Sequence, residues 1–279
     1  MKKILVTGAN GQLGQALQKA ALEHPGLEFY FAGSVEADIT SVESLQAIFS
    51  KVQPHYCINT AAYTAVDKAE AEPDKAFAVN VTGALNLAKA CKDYNCTLLH
   101  ISTDFVFDGN NNTPYTETHK PNPTGVYGKT KLEGEDEVIK NIKEHYIIRT
   151  SWVYSEFGNN FMKTMLRLAA ERDTLNVVND QWGTPTNAND LAQALIAIIK
   201  SGKEAYGIYN YSNEGATTWY DFAKKIFEVN NVPVNLHPVP SSAYPTPAKR
   251  PAYSVLDKTK IKQAFGITIP RWEENIIRL

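Results

Sequence analysis

From residue 2 to about residue 155, short apolar runs alternate with stretches whose apolar residues recur every three or four positions. No other feature limits the fold as strongly. "KILVTG" reads as a buried strand, and "LGQALQKAAL" as a helix with Leu13, Ala16, Leu17, Ala20 and Ala21 on one side. "LEFYFAG" predicts a second strand. "TSVESLQAIFSKV" predicts a helix opened by Thr40, with Glu43 completing a capping box. "HYCINTAA", "TLLHISTDFVF" and "HYIIRTSWVY" predict three more strands, with a long helix over "EPDKAFAVNVTGALNLAKACKDY" before the second of these. Strand–helix alternation requires right-handed crossovers and a parallel sheet covered on both faces. The expected fold is therefore α/β, a Rossmann-like doubly wound parallel sheet.

After residue 155 the rhythm changes. Helical patterns over "NNFMKTMLRLAAER", "ANDLAQALIAIIKSG" and "TWYDFAKKIFEVNN" are separated by loops, and a proline-rich stretch, "VPVNLHPVPSSAYPTPAKRP", follows. The expected division is a nucleotide-binding domain over residues 1–155, to which parts of the later chain return. Residues 156–279 then form mainly a smaller C-terminal substrate-binding lobe.

Composition excludes several functions. The net charge of −2 offers no basic surface for nucleic acid or membrane. "MKKILVTGANG" has three apolar residues before Thr7, too few for a secretion signal, and no apolar run reaches membrane-spanning length. Three cysteines without a C-x-x-C motif read as reduced thiols, which points to the cytoplasm. The six histidines show no ligand spacing, so no metal site is expected.

Gly8-Ala9-Asn10-Gly11-Gln12-Leu13-Gly14 joins the first strand to the first helix. Glycines in that position let backbone approach a pyrophosphate, and the helix start supplies free N–H groups. The plain alternative is a tight turn without a ligand. At the tip of the second strand, Ala32, Gly33 and Ser34 include neither the acid that selects NAD nor the arginine that selects NADP. Glu36 comes two residues beyond that tip. Use of both NADH and NADPH is expected.

"GVYGKTKLEGE", residues 125–135, contains Gly-Lys-Thr, but Pro123 occupies the position of the first P-loop glycine. The match is accidental. The same segment puts Tyr127 and Lys131 four residues apart, on one helix face. An ammonium beside a phenol favours the phenolate and would tune the tyrosine as a general acid. Thr103, ending "LLHIST", would lie at the carboxyl edge of the sheet, where it could hold a carbonyl. Taken alone, the tyrosine–lysine spacing also fits a packed tyrosine and a solvated lysine.

The glycine loop, Asp38-Ile39, "NTAAYT", "VNVTGALNL", "STDFVF" and Tyr127-x-x-x-Lys131 resemble the extended short-chain dehydrogenase/reductase family in order and spacing. "AAYTAVDKAE", "RTSWVY", "GNNFMKTMLRLAAER", "VVNDQWGTPT" and "SAYPTPAKRP" narrow the resemblance to its dTDP-4-dehydrorhamnose reductase branch. That resemblance implies reduction of a dTDP-sugar ketone by NADPH or NADH. Tyr127 is implied as proton donor, Lys131 as the holder of the nicotinamide ribose, and Thr103 as the partner of the C4 carbonyl. It implies cofactor contacts from the glycine loop, from Asp38 and Ile39 at the adenine, and from Ala62, Tyr63 and Thr64. Asp104 and Trp152 are implied on the sugar side, the latter as a wall of its pocket. Asn160, before a helix, and Arg250 are expected near the substrate phosphates, and Asn80 in a structural role. Some members dimerise through magnesium held by glutamates. "GQLGQALQ" lacks a glutamate, so neither that metal nor that dimer is carried over, and a homodimer stays open. Two other functions also stay open: reductase or epimerase of another nucleotide sugar, and a non-catalytic regulatory subunit that binds the same cofactor.

Overall fold

The computed structural model describes residues 1–279. The first half runs β1 (Lys2–Thr7), α1 (Gln12–Ala21), β2 (Leu27–Ala32), α2 (Val42–Val52), β3 (Tyr56–Asn59) and a short α3 (Val66–Ala69). Next come α4 (Pro73–Phe77), α5 (Gly83–Asp93), β4 (Thr97–Thr103), α6 (Val126–Asn141) and β5 (His145–Thr150). The later chain adds β6 (Val153–Tyr154), α7 (Phe161–Glu171), β7 (Thr174–Val178), β8 (Trp182–Gly183) and β9 (Thr186–Asn187). It continues through α8 (Ala188–Ser201), β10 (Gly207–Asn210), β11 (Thr217–Thr218), α9 (Trp219–Asn230), β12 (Asn235–Val239) and α10 (Thr259–Phe265). No helix is long and apolar enough to cross a membrane.

Six parallel strands form the main sheet in the order β10-β5-β4-β3-β1-β2. Leu13, Ala16 and Leu17 of α1 pack with α8 and Ile261 of α10 on one face. Leu45 and Phe49 of α2, Leu87 of α5 and Val138 of α6 cover the other. The architecture is the doubly wound Rossmann-like one. Its switch point lies between β1 and β3, where open sheets of this kind take ligands.

Three local differences from the sequence reading have physical reasons. The α2 cap is Ser41, whose Oγ accepts from Ser44 N–H, because the Thr40 hydroxyl donates to Asp38 Oδ1 at 2.7 Å. The predicted long helix contains a wide turn over Ala78–Thr82, a form that concentrates at functional sites. The sixth strand, β10, is only "GIYN" and lies beyond residue 155, where no strand was expected. It returns to the sheet beside β5, and α8 before it packs on α1.

The remaining later chain has its own cores. α7 and α9 pack together, with Met162, Phe222, Ile226 and Trp272 in one cluster and Met165, Leu175, Val177 and Phe227 in another. The parallel pair β7–β12 flanks them.

Candidate active site

A cleft of about 310 Å³ opens at the switch point, lined by Gly8, Asn10, Gly11, Ser34, Asp38 and Ala62, among others. Gly8 has φ +72°, and a Cβ there would lie 2.5 Å from the Ala61 nitrogen. The turn therefore fits glycine and leaves its surface to a ligand. Gly11 is the residue at which α1 begins, and Leu13 and Gly14 are buried beneath it. Ile39 is also buried, while the Asp38 carboxylate is occupied by Thr40 N–H at 2.9 Å as well as by the Thr40 hydroxyl. At the tip of β2 the structure adds a carboxylate that the sequence reading passed over. Glu36 folds back, and its Oε2 accepts from Gly33 N–H at 2.9 Å.

The Ala62–Thr64 segment is fastened by Asn80 from the wide turn. Asn80 Oδ1 accepts from Tyr63 N–H at 2.9 Å, and its Nδ2 donates to Tyr63 O and to Thr130 Oγ1 of α6. The Tyr63 phenol is engaged separately, donating to Glu72 Oε2 at 2.8 Å.

Helix α6 carries the expected chemistry. Its first turn is held by Glu70, whose Oε1 accepts from Val126 N–H at 2.8 Å. Glycine permits unusually close packing at two points. A Cβ on Gly128 would meet Phe105 O at 2.2 Å, and one on Gly134 would meet Asn80 O at 2.1 Å. The face bearing Tyr127 and Lys131 is thereby pressed against the end of β4, where Thr103 lies. Tyr127 is partly buried, edge-on to Phe105. Burial pushes its phenol up to about 12; the Thr103 hydroxyl pulls it down and the Asp104 carboxylate adds to the rise. This differs from the expected downward tuning. Lys131, 1% exposed, donates to Ile101 O at 2.7 Å rather than to Tyr127. Burial lowers its ammonium to about 8, against the opposing pull of Glu135.

Asp104 is 2% exposed, and its Oδ1 accepts from the Thr103 hydroxyl at 3.1 Å. Its Oδ2 has no hydrogen-bond partner. Burial raises this carboxyl to about 6, with the Ser254 and Thr103 hydroxyls opposing. Below the site, Glu135 pairs with Arg149 at 2.6 Å and accepts from Ser102, all three side chains buried.

The later chain contributes aromatic and charged groups. Trp152 has φ +46°, a rare and strained conformation for a tryptophan. Its ring stacks on Trp219, with centroids 3.5 Å apart and planes 12° from parallel. On another side Gly183 leaves the room it needs, since a Cβ there would lie 2.6 Å from the Trp152 ring. Arg250 is not a free cation. It grips Asp67 at both carboxylate oxygens, at 3.1 and 2.8 Å, the forked pairing that a guanidinium and a carboxylate make best, with both side chains partly exposed. Asn160 is occupied too: Oδ1 caps α7 through Lys163 N–H, while Nδ2 donates to Gln12 Oε1 at 3.0 Å and to Ser155 O at 2.7 Å. That places Asn160 beside the glycine loop. The sequence reading missed Asp67 and Trp219. The only trace of Asp67 was its place in "AAYTAVDKAE", and Trp219 gave no local signal.

A family model described as the RmlD substrate binding domain matches residues 1–279. The dTDP-4-dehydrorhamnose reductase of Aggregatibacter actinomycetemcomitans is 45% identical, covering 98% of this chain and 96% of its own. The chain belongs to the dTDP-4-dehydrorhamnose reductase family. A solved dTDP-4-dehydrorhamnose reductase from Bacillus anthracis, in complex with NADP, superposes with a TM-score of 0.94 at 40% identity, covering 99% of this chain and 98% of that one. The ortholog from Clostridium acetobutylicum gives 0.93 at 42% identity, over 98% and 96%. The glycine cleft, Thr103, Tyr127 and Lys131 thus lie in a chain aligned end to end with dTDP-4-dehydrorhamnose reductases.

Proposed function

We propose that this chain reduces the 4-keto group of dTDP-4-dehydro-L-rhamnose to give dTDP-L-rhamnose, using NADPH or NADH. The observation that carries the reading is the convergence of Thr103, Tyr127 and Lys131 at the carboxyl end of β4, beside a glycine-lined cleft. The cleft fits a dinucleotide: Gly8 and Gly11 present backbone without side chains, at the start of α1. Asn10, Gln12, Leu13, Gly14, Asp38, Ile39, Ala62, Tyr63 and Thr64 complete the cofactor contacts.

When bound, the nicotinamide supplies a hydride to C4 of the sugar. Tyr127 and Thr103 donate hydrogen bonds to the ketone oxygen, the Thr103 hydroxyl turning its one proton from Asp104 Oδ1 to do so. Tyr127 then gives its phenolic proton to the alkoxide, forming the hydroxyl. A phenol raised to about 12 is protonated at neutral pH, the state a reductase needs before the step. Lys131 holds the nicotinamide ribose and steadies the phenolate left afterwards. Asp104, with its unpartnered Oδ2, accepts a sugar hydroxyl. Trp152 walls the sugar, and Arg250, held in place by Asp67, turns its remaining N–H groups to the diphosphate. Residues 1–155, with α8 and β10, form the cofactor part, and most of residues 156–279 form the substrate lobe. Nucleotide-sugar and nicotinamide pools place the reaction in the cytoplasm.

The test is NADPH and NADH oxidation by the purified protein, with dTDP-4-dehydrorhamnose offered beside other nucleotide keto-sugars. Turnover at least about tenfold better with dTDP-4-dehydrorhamnose supports the reading. Preference for another keto-sugar, or no oxidation with any of them, removes it.

A further inference from the structure

On the face of the sheet beneath α6, three polar residues are buried in addition to Ser102 and Arg149. Thr7 of β1 is in register with Asn59 of β3, and Asn59 with His100 of β4. They form one row across three adjacent strands, each 1% exposed or less. The next strand continues the row with Ile147, so the polar part stops at His100. Lys131 Nζ stands against its end, 3.4 Å from His100 Nε2.

The hydrogen bonds of this row allow one arrangement of protons. The Ala61 backbone N–H can only donate, and it points to Asn59 Oδ1 at 3.1 Å. The Thr7 hydroxyl donates to the same oxygen at 2.8 Å. The amide orientation of Asn59 is therefore fixed, and its Nδ2 must donate to His100 Nδ1, 3.0 Å away. A ring nitrogen that accepts carries no proton. Burial, with Lys131 and His145 nearby, keeps the imidazole well below its ordinary range and hence neutral. Its single proton lies on Nε2, facing the Lys131 amine.

We propose that His100 is a positioning residue for Lys131: the Thr7–Asn59–His100 row presents an N–H to Nζ and so denies the ammonium a second acceptor inside the sheet, beyond the Ile101 carbonyl. One Lys131 proton goes to Ile101 O. The others are left for the side where Tyr127 and the cofactor ribose meet. The groups set against Lys131 are His100 and Ile101 O on β4 and Glu135 on its own helix, which also carries Tyr127 one turn earlier. Glu135 is paired with Arg149 of β5 but still draws the Lys131 ammonium upward, and the Asp104 carboxylate acts on Tyr127. The assignment of a function to this row rests on Lys131 serving the reductase reaction, whereas the proton arrangement itself does not.

The first experiment therefore uses cofactor-free protein with 15N-labelled histidine. The His100 imidazole is identified by loss of its signals in His100→Gln. The expected result is a neutral Nε2–H tautomer that does not titrate from about pH 5.5 to about pH 9. A Nδ1–H tautomer, or titration within that range, overturns the proposal without touching the reductase reading. The second experiment uses Asn59→Asp, whose carboxylate would accept Nδ1–H and turn Nε2 into an acceptor for the ammonium. The alkaline limb of kcat/KM should move up by about one pH unit. His100→Gln, which can turn an amide oxygen toward Nζ, should move it the same way. An unmoved limb in these folded variants shows a merely structural row and overturns the positioning role.

Discussion

Gly8 and Gly183 each guard a place where a methyl group cannot go, yet they do so in different kinds of structure. At Gly8 the obstacle is backbone: Ala61 N and Cα and the Thr60 carbonyl carbon lie 2.5 to 2.8 Å from where a methyl would sit, and φ is positive. At Gly183 the obstacle is the indole of Trp152, a side chain stacked on another side chain. The cofactor side is a rigid frame made by strand ends and the turn between neighbouring elements. The side proposed for the sugar is assembled from residues far apart in sequence, such as Arg250 and Asp67, and is held by contacts between side chains. A rigid frame suits a ligand common to many enzymes. Side-chain walls can change with the substrate while the frame stays.

Tyr127 stands where the two regions meet, and its loss should have the largest effect. Tyr127→Phe should cut turnover about a hundred- to ten-thousandfold while fold and cofactor binding survive. Near-normal turnover in steady-state assays would mean that neither region serves this acid. Next, Gly8→Ala should weaken cofactor binding about a hundredfold, roughly 3 kcal/mol, because positive φ and backbone collision both oppose the methyl. Fluorescence titration with NADPH measures this, and retained affinity would show that the frame yields.

Gly183→Ala should act on the other region alone. It should raise the KM for the keto-sugar about tenfold by displacing the Trp152 ring, with cofactor affinity unchanged. A loss of cofactor affinity here would erase the distinction between the regions. The wild-type pH profile adds a check on the meeting point. Lys131 is lowered to about 8, so it is charged below that value and loses its proton as pH rises through it. Reduction should be retained at neutral pH and fall above about pH 8, by about tenfold per unit. The smallest effect should come from Glu36→Gln. Removing a carboxylate from the tip of β2 should shift preference toward NADPH by only a few fold, read from the ratio of kcat/KM values.

Legibility followed the same division. The strands of the cofactor part could be read because each is a short run rich in apolar residues, buried except at the β2 edge, and the glycine loop because its meaning depends only on its neighbours. Tyr127 and Lys131 were found by spacing within one helix. Glu36 was not placed, since its return to Gly33 depends on how the chain turns after β2. β10 is four residues long and draws its stability from pairing with β5, which no local pattern reports. Arg250 and Asn160 were read as lying near the substrate phosphates, while their pairing with Asp67 and Gln12, 183 and 148 residues away, left no local signal. The polar row left a faint trace, Thr7 and Asn59 at the ends of two apolar runs and His100 in the middle of a third. Only the register reveals that Thr7, Asn59 and His100 are neighbours.

The stack of Trp152 on Trp219 has an optical consequence. Two indoles held 3.5 Å apart couple their electronic transitions, and a twist between their long axes would turn that coupling into a paired positive and negative band in far-ultraviolet circular dichroism. A rotation of one ring by a bound sugar would change the sign or size of that pair. If Trp152 walls the sugar as proposed, the protein carries its own chromophore for that side, and the band should respond to sugar and not to cofactor alone, without any label.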